Sequence, residues 1–235
     1  MWWHDEKPEA VFWDLDGTLI DSDPYWVRAE RALLEEHGGV WDDPLAEAMQ
    51  GASLPTVTRL LHERGVSGMD HDAIVARLTA DVMRMEDECL PWIPGVRDAL
   101  TGLAEAGVPS VLVTGSPRPI VDNVIAHAPA GAFVGSVSGE EDMPHKPAPE
   151  PYWAAARIAG IVSGVDGAVP SIAPVDSALM RRCVVFEDSV PGLTAARAAG
   201  ATVVAVTGYA RVDVTADPAL RSLYDRTIRD FRDLR

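Results

Sequence analysis

The sequence predicts an α/β fold, a parallel sheet covered by helices on both faces, and three observations carry that reading. Short apolar runs recur along the chain, they are continuous rather than alternating in polarity, and segments with helical punctuation separate them. A strand that faces water on one side alternates apolar with polar residues, whereas a strand covered on both sides is apolar throughout. The length of 235 residues fits one or two domains. A composition of 47% hydrophobic and 24% charged residues is that of a globular chain rather than a disordered, collagen-like or disulfide-stapled one.

The first run, Ala10-Val11-Phe12-Trp13, reads as a strand. From Asp23 to about Leu90 the periodicity is helical and no strand is evident, so this stretch reads as a helical insertion. Its first helix takes Asp23 as N-cap and Pro24 as first helical residue, Val27, Leu33 and Leu34 supply an apolar face, and Gly38-Gly39 ends it. Further helices are expected over 54–63 and 72–88, with Leu90-Pro91-Trp92-Ile93-Pro94 as the return linker. Pro94-Gly95 then opens a helix through Val96, Leu100 and Leu103 that stops at Gly107, and a second strand follows at 110–113. Ala132-Phe133-Val134, 183–186 and 202–206 are the remaining strand candidates. Between the last two, Ser189 is a candidate N-cap for an Ala-rich helix from Pro191 to Ala199 that Gly200 ends. The stretch 160–177, rich in Gly, Ala, Ser and Pro, reads as a surface loop.

Charge narrows the function. With 20 Lys and Arg against 36 Asp and Glu the net charge is −16, which repels nucleic-acid phosphates, and no basic run overcomes it locally. The same field repels a small phosphorylated molecule, so a site for one needs a metal ion or placed cations that reverse the sign. No window approaches the ~20 apolar residues of a membrane span, and residues 1–8 lack the basic and apolar regions of a signal peptide. Cys89 and Cys183 read as two buried thiols of a reducing compartment, with a single disulfide as the alternative, so the expected location is cytoplasmic.

Four segments carry chemistry. Asp14-Leu15-Asp16-Gly17-Thr18 leaves the first strand with two carboxylates one residue apart, at the sheet edge where open α/β folds bind ligands. Gly17 permits a turn that brings backbone close to an oxyanion. Thr114-Gly115-Ser116 ends the second strand with hydroxyls and approachable N–H groups. Lys146, followed by Pro147, offers a cation at a restrained place. Glu187-Asp188-Ser189 ends the fourth strand; adjacent carboxylates repel unless a cation is present, which points to a hard divalent metal with Mg2+ the natural candidate.

In this order these motifs resemble those of the haloacid dehalogenase superfamily, and the resemblance covers nearly the whole chain. It implies a Rossmann-like core over 1–22 and 92–235 and a helical cap over 23–91, as in the subgroup of sugar-phosphate phosphatases and β-phosphoglucomutases. By the resemblance Asp14 is the nucleophile that forms an aspartyl-phosphate, and Asp16 protonates the leaving oxygen and then activates water. Thr114, Gly115, Ser116 and Lys146 would bind the transferring phosphoryl group. Asp14, Asp16 through its carbonyl, and Asp188 would hold Mg2+, with Glu187 supporting directly or through water.

Departures from the family pattern separate the subtypes. Trp26 stands where β-phosphoglucomutases carry a cap histidine, and Leu54 replaces the arginine of their Gly-x-Ser-Arg segment; both disfavour a mutase, which stays as the alternative. Asp16 disfavours a dehalogenase. Asp23-Pro24-Tyr25-Trp26 instead looks like the corresponding segment of sugar-phosphate phosphatases. A non-catalytic phosphometabolite-binding protein is the third reading, disfavoured because every acidic and cationic motif position is filled. Tyr25, Trp26, Arg28, Gln50, Ser53 and Arg118 are candidate substrate readers. The expected partner is therefore a small phosphorylated metabolite, and the expected state a monomer with a dimer as alternative. Lys146 and Glu187 lie 41 residues apart, longer than in such relatives, and the excess falls in 160–177.

Overall fold

The computed structural model describes residues 7–49, 52–162, 173–210 and 212–234. The chain divides into two compact units, Met1–Asp21 with Trp92–Arg235, and Ser22–Pro91. The strands are β1 (Ala10–Trp13), β2 (Ser110–Val113), β3 (Gly135–Val137), β4 (Cys183–Glu187), β5 (Thr202–Val206) and β6 (Arg226–Ile228). The α-helices are α1 (Asp23–Glu36), α2 (Asp43–Met49), α3 (Leu54–Glu63), α4 (His71–Glu88), α5 (Val96–Glu105), α6 (Arg118–His127), α7 (Glu150–Ile158), α8 (Ser177–Met180) and α9 (Val190–Ala199).

The fold is α/β and Rossmann-like: the six strands form one sheet in the order β3-β2-β1-β4-β5-β6, every pair parallel. On one face Phe12, Val111, Val113, Val185, Val203 and Ala205 share a buried core with Tyr152, Ala155, Leu193 and Ala196 of α7 and α9. Side chains alternate between faces along a strand, so Trp13 and its register partner Phe186 point to the other side. There they stack with ring centroids 4.7 Å apart, and Phe231 closes the cluster at 5.2 and 5.0 Å. The strand order reverses between β1 and β4, and their carboxyl ends lie side by side at that reversal, where ligands bind in open α/β sheets.

Three sequence expectations shift. The third strand is not 132–134 but Gly135–Val137: Val134 is 55% exposed, and the ladder pairs Val111 with Gly135 and Val113 with Val137. The apolar run precedes the strand, and the strand opens on glycine because α7 lies against it. A Cβ at 135 would stand 2.5 Å from Ile158 Cγ2. Strand β6, Arg-Thr-Ile at the sheet edge with only Ile228 buried, has too short an apolar signal to stand out. In α1 the N-cap is Ser22 rather than Asp23, and Val27 is 43% exposed; the buried stripe is Trp26, Ala29, Glu30, Leu33 and Leu34.

The helical unit holds α1 to α4, of which α2 had no sequence signal strong enough to be expected. Asp70 caps α4 by accepting from Ala73 N at 2.9 Å. Leu33, Leu34, Leu61, Ile74, Leu78 and Val82 are buried there. In the core unit Ser189 caps α9 by accepting from Gly192 N at 3.1 Å, and Gly200 ends it at φ +90°. Of the stretch 160–177, residues 163–172 lie outside the described ones; beside them Arg157 donates to Ala173 O at 2.6 Å. No helix among the described residues is long and apolar enough to cross a membrane.

Both cysteines are free, but of the two thiols expected to be buried only Cys183, at the start of β4, is so; Cys89 caps the C-terminus of α4 and is exposed. Burial, with the nearby Glu9 charge, pushes the Cys183 thiol up to about 12, so it stays protonated at neutral pH. Native protein at pH 8 is therefore expected to react with Ellman's reagent at Cys89 alone, the second thiol appearing only on denaturation. Two fast thiols would show that β4 is not sealed.

Candidate active site

The loop leaving β1 is held by its own backbone. Asp14 N donates to Phe186 O at 3.0 Å, extending the β1–β4 pairing by one residue, and Gly17 N donates to Ile20 O at 2.8 Å. Gly17 sits at φ +83°, and a Cβ there would lie 2.3 Å from Asp188 Oδ2, so only glycine lets the two loops meet. Asp14 and Asp188 are both buried, at 7% and 5% exposure.

Beyond β2, Thr114 N donates to Val137 O at 3.0 Å and Ser116 N to Thr114 Oγ1 at 3.0 Å. The Ser116 hydroxyl donates to Asp16 Oδ2. Gly115 carries its carbonyl against Gly139, where a Cβ would come within 2.0 Å. Asp14 and Asp16, one residue apart, thus meet different partners.

Lys146 reaches the centre of the cluster. Its Nζ donates to Asp14 Oδ1 at 2.7 Å, to Glu187 Oε1 at 2.6 Å and to the Val113 carbonyl at 2.9 Å. Glu187 is fully buried. Besides Lys146, its Oε1 accepts from the Tyr152 hydroxyl at 3.2 Å, and its Oε2 accepts from Asp188 N, Ser189 N and Ser189 Oγ at 2.9, 2.9 and 3.0 Å. The carboxylate is seated at the N-terminus of α9, where backbone donors and the helix dipole favour negative charge.

Electrostatics follow from this geometry. Burial, reinforced by Glu187 and Asp16 and opposed by Lys146, pushes the Asp14 carboxyl up to about 8. Burial alone would make Lys146 easier to deprotonate, but the charges of Asp14 and Glu187 outweigh it and hold the ammonium form well above its ordinary range. Burial and Glu187 keep the Tyr152 phenol neutral. One ammonium therefore faces two buried carboxyl groups, and burial with their mutual repulsion raises Asp14 toward its neutral form.

Among the described residues, Asp14, Glu187 and Asp188 form a group whose ligand oxygens lie within 4.8 Å of one another. All are hard oxygen donors, as Mg2+ requires, so the residues fit that ion. The Asp16 side chain stands outside this group, on Ser116.

The other candidates are placed as follows. Arg118, at the start of α6, donates to Ser136 Oγ at 2.7 Å and pairs with Glu141. In the helical unit, the Tyr25 hydroxyl donates to Cys89 O at 2.9 Å, Trp26 is buried, Arg28 is exposed, and Ser53 Oγ lies 3.1 Å from Thr56 Oγ1. Gln50 lies outside the described residues. Sequence reasoning missed Tyr152 and Glu141. The first stands in an Ala-rich helix and the second in the acidic run Glu140-Glu141-Asp142, and neither has a motif to mark it.

Comparison with known proteins agrees with the geometry. The family model of haloacid dehalogenase-like hydrolases matches residues 8–200. Hexitol phosphatase B of Escherichia coli (strain K12) is 30% identical over 231 residues, covering 94% of this chain and 96% of that protein. Fructose-1-phosphate phosphatase YqaB of the same strain is 26% identical over 199 residues, covering 83% and 94%. The β-phosphoglucomutase structure from Clostridium difficile aligns with a TM-score of 0.70 at 18% identity over 97% of this chain and 94% of that one, a likeness of fold. The chain belongs to the haloacid dehalogenase-like hydrolases.

The packing of Glu187 is open to a stability test. A Cβ at Gly192 would lie 1.6 Å from Glu187 Oε1, whereas Gly115 has nothing within 4 Å of its own. Gly192→Ala must displace the buried carboxylate from its donors and is expected to cost at least about 2 kcal/mol in urea unfolding. Gly115→Ala should cost under about 1 kcal/mol. Equal midpoints for the two would contradict the seating of Glu187.

Proposed function

We propose that this haloacid dehalogenase-like hydrolase removes phosphate from a small phosphate monoester, a sugar or sugar-alcohol phosphate, in two displacements at phosphorus. The observation that carries the reading is the pair Asp14 and Asp16 with unlike partners: Asp14 lies against the Lys146 ammonium, and Asp16 against a neutral hydroxyl. Asp14 must be an anion to attack, and Lys146 is the neighbour that opposes the burial and the Glu187 charge pushing its carboxyl up. The neutral hydroxyl beside Asp16 suits a group that must gain and lose a proton.

In the first step an Asp14 oxygen attacks phosphorus, the bond from phosphorus to the ester oxygen breaks, and Asp16 gives that oxygen a proton as the alcohol leaves. In the second, ionised Asp16 takes a proton from water, the water oxygen attacks phosphorus, and the acyl phosphate bond breaks to restore Asp14 and release inorganic phosphate. Lys146, the Thr114 hydroxyl and the Gly115 N–H orient the phosphoryl oxygens, and Ser116 contributes by holding Thr114 Oγ1 and Asp16. Asp14, Asp188 and the Asp16 carbonyl would hold Mg2+, which when bound neutralises charge on the phosphoryl group. Glu187 we assign to anchoring Lys146 rather than to direct ligation, since its two oxygens already accept from five donors.

The names of the relatives, a hexitol phosphatase and a fructose-1-phosphate phosphatase, support the substrate class. Tyr25, Trp26, Arg28, Gln50 and Ser53 are proposed readers of the leaving group. The two free thiols support a cytoplasmic location.

With Mg2+, phosphate release is expected from hexitol 6-phosphates and fructose 1-phosphate, with slower release from nucleoside monophosphates. Asp14→Asn should lower turnover by at least about a thousandfold while circular dichroism shows the fold retained. Near-normal release by that variant would remove Asp14 as nucleophile, and isomerisation of glucose 1-phosphate outpacing release would make the enzyme a mutase. Chelation by EDTA is expected to stop release, and restored Mg2+ to recover it.

A further inference from the structure

Two residues beyond Ser116 stands Arg118, a candidate substrate reader. Its charge is already engaged. Nη2 pairs with Glu141 Oε1, and Nη1 donates to Ser136 Oγ at 2.7 Å and lies 3.7 Å from Asp122 Oδ1. Glu141 is itself held firmly, since its Oε2 accepts from Ser138 N at 2.7 Å and from Ser138 Oγ at 2.6 Å. The same turn donates from Gly139 N to Ser116 O at 2.9 Å, and Ser116 donates to Asp16. The ion pair is thus tied through that turn to Ser116, the hydroxyl partner of Asp16. Glu140 and Asp142, both exposed, flank Glu141 and add negative charge to that rim.

From this we infer that Glu141 is a specificity-determining residue: by neutralising Arg118 it makes the site select esters whose leaving group is an uncharged polyol and reject those whose leaving group carries a carboxylate or a second phosphate. The inference rests on the phosphatase reading and deepens it. A neutral polyol leaving group loses nothing beside an acidic rim. An anionic one meets Glu140, Glu141 and Asp142 with the Arg118 charge already cancelled. Discrimination here comes from the repulsive element rather than from an added contact.

The test is the ratio of kcat/KM for 2-phosphoglycolate to that for sorbitol 6-phosphate, measured with Mg2+ at low ionic strength in the wild type and two variants. Glu141→Gln keeps the shape and drops the charge, so Arg118 gains an unbalanced positive charge and the ratio should rise about fivefold. Arg118→Gln leaves Glu141 uncompensated, so the ratio should fall by a similar factor. Both shifts should shrink at high salt, because the groups are partly exposed. A purely structural ion pair would slow both substrates alike in both variants, and an unchanged ratio overturns the inference. The opposite signs let either variant decide alone if the other does not fold. Absence of phosphate release from any ester by wild-type protein would overturn the phosphatase reading itself and this inference with it, an outcome distinct from an unchanged ratio between two active enzymes.

Discussion

The structure of the site depends on one buried ammonium. Lys146 binds Asp14 and Glu187 together beneath the surface, and without it two buried carboxylates would face each other with no counter-charge. Breaking a buried ion pair by removing one partner costs about 3–5 kcal/mol, because the partner is left charged and dry. The surrounding chain supplies what makes such burial tolerable. The α9 N-terminus and Ser189 satisfy one oxygen of Glu187, and the Tyr152 hydroxyl shares the other with Lys146. Glycines at 17 and 192 leave the room that the carboxylates occupy.

This arrangement reconciles the net charge of −16 with an anionic substrate. The long-range field of the protein opposes a phosphate ester, so binding must be decided at short range, in the proposed reading by one lysine, backbone donors and an Mg2+ ion that the carboxylates fit. The same reasoning gives the outer rim a role. Under the proposed function, Lys146 against Asp14 attracts the phosphoryl group, and Glu141 against Arg118 cancels a cation that would attract an anionic leaving group. The two pairs, Lys146 with Asp14 and Arg118 with Glu141, use the same chemistry to opposite ends.

Parallel strands explain why so little chain suffices. Because β1, β2 and β4 are neighbours running the same way, their carboxyl ends deliver Asp14, Thr114 and Asp188 to one edge with a few loop residues each. Lys146 comes from the segment after β3, one strand further out, and its long side chain spans the remaining distance to the Val113 carbonyl and Asp14.

The continuous apolar runs were enough, in the sequence alone, to determine the α/β class and four of the six described strands, and the motifs marked Asp14, Asp16, Lys146, Glu187 and Asp188 as candidates. These are legible because burial on both sheet faces and catalysis at strand termini each impose a local residue pattern. Tertiary packing decided the rest. The third strand moved from an apolar run to Gly-Ser-Val because Ile158 of α7 needs the space beside Gly135, and β6 exists because β5 offers it an edge. Val27 fits a helical period but faces solvent, since the phase of α1 is set by Trp26 and Ala29 instead. Tyr152 and Glu141 carry no local signal, for their partners lie 35 and 23 residues away in sequence, and only the folded chain brings a hydroxyl to Glu187 and a carboxylate to Arg118.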